Sequence, residues 1–323
     1  MLMLDADTLL ASMPFTLLVE KLAELHRQPI GQVDEMLMES IDAKDQVNHF
    51  FIRTGWQAEK AVGAKVITVF PRNNQKALHP SIQAIYVLFD GVSGSPVACL
   101  DGTALTWLKT ASDSALGSQL LSRQDCSSML MIGAGQMAPY LVEAHCAVRP
   151  SIRRVRIWNR SPGKAEALRE RLARDLPDLD VETCDDLEAG ISDAELVCSA
   201  IACEQPVIDG RWLKPGTHVD LVGAYTPVMR EADDHCLERG RLFVDARETT
   251  LEHIGELMIP LASGVIRESD VLADLAELCL GQHPGRLGDD DITLFKNGGG
   301  GHLDLMCARL LHEQHQAKAG AVS

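Results

Sequence analysis

The chain has 323 residues, 46% of them hydrophobic and 24% charged, which is enough apolar material for two domains with cores of their own and too much for a disordered segment. Forty-six acids against thirty bases leave a formal charge of −16. That charge repels nucleic-acid phosphates and anionic lipid, so neither nucleic acid nor a membrane surface is an expected partner. No apolar run approaches transmembrane length, and Met1 to Asp7 carry no basic stretch ahead of an apolar one. The nine cysteines are scattered, with no Cys-x-x-Cys pair and no neighbouring His at ligand spacing. A cytoplasmic protein with reduced cysteines and no metal site is expected.

Along the chain, Pro14 followed by Leu17, Leu18, Val19, Leu22 and Leu25 gives one apolar helix face, with Glu20, Lys21 and Glu24 turned outward. The texture then becomes β-like: Gly63 to Phe70 and Ile82 to Phe89 read as strands, with turn chemistry at Asp90-Gly91 and at Ser93 to Pro96. The N-terminal third is therefore expected to be mixed α+β.

From about Ser127 the pattern is strand, glycine turn, helix, strand: Ser128 to Ile132, Gly133 to Gly135, Met137 to Val148, Val155 to Trp158. Further parallel strands are expected at Ala194 to Ala200, Thr217 to Val222 and Arg241 to Asp245, making one doubly wound Rossmann-type domain. A tail helix over Leu303 to His315 would return to the first domain. The division expected is 1–117 with 303–323 for a discontinuous α+β domain, and 118–302 for the nucleotide-binding domain.

Gly133-Ala134-Gly135-Gln136-Met137-Ala138 directly follows a strand and opens a helix, the setting in which this glycine spacing lets backbone approach a pyrophosphate at a helix N-terminus. At the end of the next strand, where an NAD enzyme usually carries an acid for the ribose 2′-hydroxyl, stand Asn159, Arg160 and Ser161. Arg160 can pair with a 2′-phosphate that an acid would repel, so NADPH is the expected cofactor, with NADH an open alternative.

Lys65 in Gly63 to Pro71, Asp101 to Thr106, Lys109-Thr110-Ala111, Gly133 to Gln136, Trp158 to Arg160, Lys214 to His218, Val222-Gly223-Ala224 with Pro227 and Arg230-Glu231, and Phe295 to Asp304 occur in an order that resembles the ornithine cyclodeaminase/mu-crystallin family. The resemblance runs from about Ala61 to Leu311. It implies a homodimer whose first domain binds substrate and mediates dimerisation, with the nicotinamide reaching over from the second. It also implies that Lys65 and Lys109 contact a substrate carboxylate, and that Thr110, Gln136 and Asn297 lie along the cofactor. Ala200 and Gly223, closing later strands, join the expected cofactor residues.

Two departures from the family pattern narrow the activity. Cyclodeaminases of the family carry an Asp just after the glycine of the Val-Gly segment, whereas this chain has Gly223-Ala224-Tyr225-Thr226-Pro227, with no carboxylate to assist ring closure of a diamino acid. Lys109 stands where the family more often has Arg. A point charge holds a carboxylate without a bidentate fork, which makes Arg53 a candidate second base, although a surface strand position explains it equally. The expected activity is hydride transfer to the C=N bond of a small cyclic imine carboxylate, with Lys65, Lys109 and Arg53 fixing its carboxylate and Lys65 a proton source. An amino-acid dehydrogenase, a cyclodeaminase and a non-catalytic NADP-dependent binding protein remain alternatives. Asp304 faces the site or pairs within its helix; His79 and His302 either reach the substrate pocket or, the simpler reading, are turn histidines, and Glu256 reads as structural.

Overall fold

The structure, a computed structural model, describes residues 1–73 and 79–320. The chain forms two compact units, Met1–Lys109 with Gly300–Ser323, and Thr110–Gly299. The first division falls inside a continuous helix, Gly102–Leu121, not at 117/118. No proline or loop marks the change of unit within that helix, so sequence punctuation cannot locate it. The second falls in the glycine run, ahead of 302/303.

The first unit is built on a six-stranded sheet in the order β1-β6-β5-β4-β3-β2. Its strands are β1 (Leu2–Leu4), β2 (Gln32–Ile41), β3 (Val47–Gln57), β4 (Ala61–Val69), β5 (Ile82–Asp90) and β6 (Pro96–Asp101). All pairings are antiparallel except β1 with β6. The helix Phe15–His26 buries Leu18, Val19, Leu22 and Leu25 at helical spacing, while Lys21 and Glu24 pair at 2.8 Å on its outer side. β2 was not legible as a strand, because Met36-Leu37-Met38 puts apolar side chains on both faces and breaks the alternation that marks a half-buried strand.

Directly opposed residues of antiparallel neighbours share a face. Glu35 opposes Arg53, Arg53 opposes Lys65, and Lys65 opposes Tyr86, so these four form one row across β2 to β5. The C-terminal helix Gly301–Gly320 packs on this face. A Cβ at Gly301 would lie 2.2 Å from the Thr54 carbonyl oxygen, and one at Gly55 would lie 2.8 Å from the Gly301 carbonyl oxygen, so two glycines let helix backbone touch strand backbone.

The second unit is an all-parallel sheet of eight strands in the order β13-β12-β14-β11-β10-β7-β8-β9. The strands are β7 (Ser128–Ile132), β8 (Arg154–Trp158), β9 (Asp180–Thr183), β10 (Leu196–Ser199), β11 (His218–Leu221), β12 (Arg241–Val244), β13 (Val271–Asp274) and β14 (Thr293–Lys296). Helices on both faces explain why β7, β10, β11 and β14 are buried throughout; β7 and β10 read as short apolar runs, while β11 and β14 bury His218, Asp220, Thr293 and Lys296 among their apolar residues. Their core includes Leu130, Ile132, Val197, Val219, Leu221, Val244 and Leu294. Read from β9 inward, strand order reverses between β7 and β10, and ligands of such sheets bind outside the C-terminal strand ends at that reversal.

Candidate active site

In the first unit, Lys65 on β4, Lys109 on the helix Gly102–Leu121 and Asp304 in the first turn of the C-terminal helix are all buried, with 5%, 3% and 0% of their surface exposed. The Lys65 ammonium donates to Asp304 Oδ1 at 3.3 Å and to Thr106 Oγ1 at 2.5 Å, and Thr106 donates in turn to the Gly102 carbonyl. Lys109 Nζ lies 4.0 Å from the same Asp304 oxygen. Thr106 and Lys109, three residues apart, share one helix face, which is why both meet Lys65's partner set. Asp304 Oδ2, the Tyr86 hydroxyl and both ring nitrogens of His302 are buried without a hydrogen-bond partner among the described residues. Buried polar atoms are rarely left so, and a gathering of them marks a place where a ligand supplies the partners.

Burial pushes the Lys65 ammonium below the ordinary lysine range; Asp304 opposes this, and Lys109 and Arg53 add to it. Burial alone would raise Asp304, but Lys65, Lys109 and Arg53 outweigh it and hold the carboxyl below its usual range. Burial, reinforced by Asp304, drives the Tyr86 phenol well above its usual value, so it stays a hydroxyl donor. Burial, then His26 and Lys109, brings His302 down to about 3, leaving a neutral imidazole. The cluster therefore sets two ammonium groups against one carboxylate, with neutral donors beside them. One unbalanced positive charge in a dry site suits a small carboxylate. Arg53 is in the adjacent register position, but its Nε pairs with Glu35 at 3.3 Å and its guanidinium stacks over Phe51 at 4.9 Å. His79 is exposed. His302 lies in the C-terminal helix and not in a turn, because that helix begins at Gly301, two residues before the expected start.

In the second unit the turn after β7 brings Gly133, Ala134, Gly135, Gln136 and Met137 together. Gly133 has φ 105°, and a Cβ there would lie 2.9 Å from the Ala200 carbonyl oxygen, so the tight turn needs glycine. A Cβ at Gly135 would meet nothing within 4 Å. The N–H groups of Gly135, Gln136 and Met137 donate to no described residue, leaving bare backbone donors ahead of the helix Ala138–Val148. Such a turn fits a pyrophosphate. Asn159 Oδ1 accepts from Ala134 N at 3.2 Å and its Nδ2 donates to the Ser161 carbonyl at 3.0 Å, tying the end of β8 to the glycine turn. Arg160 is exposed and makes no ion pair among the described residues.

Glu231, part of the Arg230-Glu231 motif, organises the neighbouring strand ends. Its Oε1 accepts from Ser199 Oγ at 2.5 Å and Ile201 N at 3.2 Å; its Oε2 accepts from Gly223 N at 2.5 Å and Ala224 N at 2.9 Å. The Glu256 carboxylate accepts from the backbone N–H groups of Glu231 and Ala232 at 2.7 and 3.0 Å, so its structural reading had a specific content. Burial pushes Glu231 up to about 7, with Lys296 pulling against it and Glu256 adding. Ala200 and Gly223 thus sit on two loops clamped by one acid. The glycine run does not stand open: a Cβ at Gly298 would lie 2.5 Å from Thr250 Oγ1, and Gly299 N donates to Asp245 Oδ2 at 2.5 Å. Close approach to the unit's own chain explains those two glycines.

The ornithine cyclodeaminase/mu-crystallin family model matches residues 9–319. The Delta(1)-pyrroline-2-carboxylate reductase of Paracoccus denitrificans is 44% identical over 290 residues, covering 90% of this chain and 89% of that protein. The protein of the same name from Colwellia psychrerythraea is 32% identical over 316 residues, covering 97% and 99%. Among solved structures, the Thermococcus litoralis Delta(1)-pyrroline-2-carboxylate reductase in complex with NADH and L-proline superposes with a TM-score of 0.89 at 27% identity, covering 99% of this chain and 98% of that one. No helix of the described residues is long and apolar enough to cross a membrane, and no cysteine forms a disulfide. The chain belongs to the ornithine cyclodeaminase/mu-crystallin family.

Proposed function

We propose that this protein is an oxidoreductase that reduces cyclic imine carboxylates, 1-pyrroline-2-carboxylate and 1-piperideine-2-carboxylate, to L-proline and L-pipecolate. The observation that carries the reading is the buried Lys65–Asp304–Lys109 cluster with its unpartnered carboxylate oxygen. A protonated cyclic imine carboxylate bears one negative and one positive group. Lys65 and Lys109 hold the carboxylate, and Asp304 Oδ2 accepts the iminium N–H. The Tyr86 hydroxyl and the neutral His302 ring supply hydrogen-bond donors for the remaining lone pairs of the carboxylate.

The nicotinamide cofactor supplies the hydride. When C2 accepts it, the C=N π pair becomes the nitrogen lone pair, and the iminium becomes a neutral secondary amine. The proton that makes the imine an iminium comes from Lys65, whose depressed proton affinity suits it to the task, and solvent restores it. The missing carboxylate at 224–226 leaves ring-closing deamination without its acid, which separates this chain from the cyclodeaminases.

NADPH is the preferred cofactor, because Arg160 is unpaired and solvent-facing at the end of β8 while no acid stands there. Gly133, Ala134, Gly135, Gln136 and Met137 hold the pyrophosphate, Asn159, Arg160 and Ser161 the adenosine ribose and its phosphate, and Ala200, Gly223, Thr110 and Asn297 the remaining half. The assembly is a homodimer. The face of the first unit's sheet turned from its C-terminal helix carries Met36, Met38, Phe50, Trp56 and Ile85, exposed by 46, 56, 37, 54 and 48%. A contiguous apolar sheet face of that kind is covered in solution, and a second copy offers the same apolar face in return. Thiol-state cysteines agree with a cytoplasmic setting.

The test is Lys65→Ala, assayed for NADPH-dependent reduction of 1-pyrroline-2-carboxylate and for NADPH binding. Turnover is expected to fall by at least about 100-fold, the usual worth of a positioned acid, with cofactor affinity retained. Unchanged turnover would remove Lys65 from the site.

A further inference from the structure

The second unit holds a buried chain of polar side chains whose direction can be read without seeing hydrogens. Asn297 follows β14, its own N–H anchored on the Leu221 carbonyl at 3.0 Å. One atom of its side-chain amide lies 3.1 Å from the Thr110 carbonyl oxygen and 3.0 Å from Ser114 Oγ. A peptide carbonyl only accepts, so that atom is Nδ2, and it spends both its protons, one on Thr110 and one on Ser114. Ser114, having accepted, directs its single proton to Asp220 Oδ1 at 3.0 Å. Asp220 Oδ2 receives the His145 Nε2 proton and the Cys198 thiol, each at 3.1 Å. Asp220, Ser114, His145 and Cys198 are fully buried, and Asn297 is 3% exposed. His, Cys and Asp could together hold a metal, but every Asp220 oxygen is already taken by donors, which explains the cluster without an ion.

The amide is therefore locked one way round. Asn297 Oδ1 accepts no hydrogen bond from any described residue. It stands at the C-terminal end of β14, beyond β10 and β11 on the side of the strand-order reversal away from β8. With the adenosine half running toward β8, as the proposed dinucleotide reading requires, that side receives the nicotinamide half.

We infer that Asp220 and Ser114 are positioning residues that hold Asn297 with its carbonyl oxygen outward, as the acceptor for the carboxamide N–H of the nicotinamide. A carboxamide pinned through its N–H fixes the ring's rotation about the glycosidic bond, and with it the face from which hydride leaves. The relay works only because the buried carboxylate takes the serine proton. Without Ser114 the Thr110 carbonyl alone anchors Nδ2, and the amide can swing about that single bond so that Oδ1 is no longer held outward.

The experiment is calorimetric binding, without substrate, of NADP+ and of its 3-acetylpyridine analogue, which keeps the carbonyl and lacks the N–H. Wild type is expected to bind the analogue about tenfold more weakly, the worth of one buried hydrogen bond. Asn297→Ala and Ser114→Ala are expected to bring the two ligands within about twofold of each other, while Ser114→Thr, which keeps the hydroxyl, restores the preference. Thermal melting checks that each variant is folded. A wild type that binds both ligands equally, or an Asn297→Ala variant that still discriminates as wild type does, would overturn the inference and leave the dinucleotide site standing. Binding of neither ligand to wild type would overturn both.

Discussion

Replacing Asp304 by Asn removes one charge without changing the side chain's shape, at a position with no exposed surface. The Lys65 and Lys109 ammonium groups, now 3.3 and 4.0 Å from Asp304 Oδ1, would then face each other with no buried anion between them. Removing one partner of a buried ion pair typically costs about 3–5 kcal/mol. Lys65 is already pushed toward losing its proton, so it relieves part of that cost by neutralising. For catalysis, the lost charge-assisted bond to the iminium is worth about 1.5–3 kcal/mol, or about 10- to 150-fold in kcat/KM. Binding of furan-2-carboxylate, which carries the carboxylate and no ring N–H, is expected to hold or tighten, because the site has lost an anion. Steady-state reduction of 1-pyrroline-2-carboxylate and competitive inhibition by furan-2-carboxylate measure the two effects separately. A kcat/KM within twofold of wild type, or an equal loss of substrate and inhibitor, would refute the assignment of Asp304 to the iminium.

Arg160→Ala should raise the KM for NADPH by about tenfold or more, the worth of a charge-assisted hydrogen bond, and spare NADH; equal losses with both would sink the phosphate assignment. Glu231→Gln leaves one acceptor oxygen for donors that now have two, and urea unfolding should register about 2 kcal/mol or more of destabilisation; a change below about 0.5 kcal/mol, the scatter of ordinary surface substitutions, would mean the two loops hold themselves. His302 is a base whose folded proton affinity lies below its unfolded one, so its full contribution is present above the unfolded value of 6.5 and is lost as pH falls toward about 3. His302→Phe should therefore lose less stability than wild type between those limits, by an amount on the order of 5 kcal/mol at most; parallel stability curves would contradict the buried, neutral imidazole. Trp56→Lys, on the open sheet face, should shift sedimentation from dimer to monomer, and an unchanged dimer would move the interface elsewhere.

The nucleotide half was legible because its signals are local. Ser128 to Ile132 is an apolar run bounded by a glycine turn, and the strand found there has those limits. Lys65, Lys109 and Asp304 came from ordered motifs, but what they touch did not. Tyr86 enters only through the register of β5 on β4, and Thr106 only once a helix carries it one turn before Lys109. The clamp at Glu231 joins residues 199 to 256, a set no window of sequence displays together. Arg53 shows the opposite limit: its row was right for a site residue, yet the unanticipated strand β2 supplies Glu35 to pair with it. The glycines at 298, 299 and 301 answer to partners far off in sequence, and packing against Thr250, Asp245 and Thr54 accounts for them.

The most direct test of the proposed reaction follows the absorbance of reduced nicotinamide with NADPH and 1-pyrroline-2-carboxylate or 1-piperideine-2-carboxylate, beside pyruvate with ammonia and beside ornithine with NAD+. Rapid oxidation with the cyclic imines alone is the expected result, and the ratio of their rates sets the preferred ring. Turnover of ornithine or pyruvate without turnover of either imine would contradict it, leaving the family and fold in place and the reaction assigned here wrong.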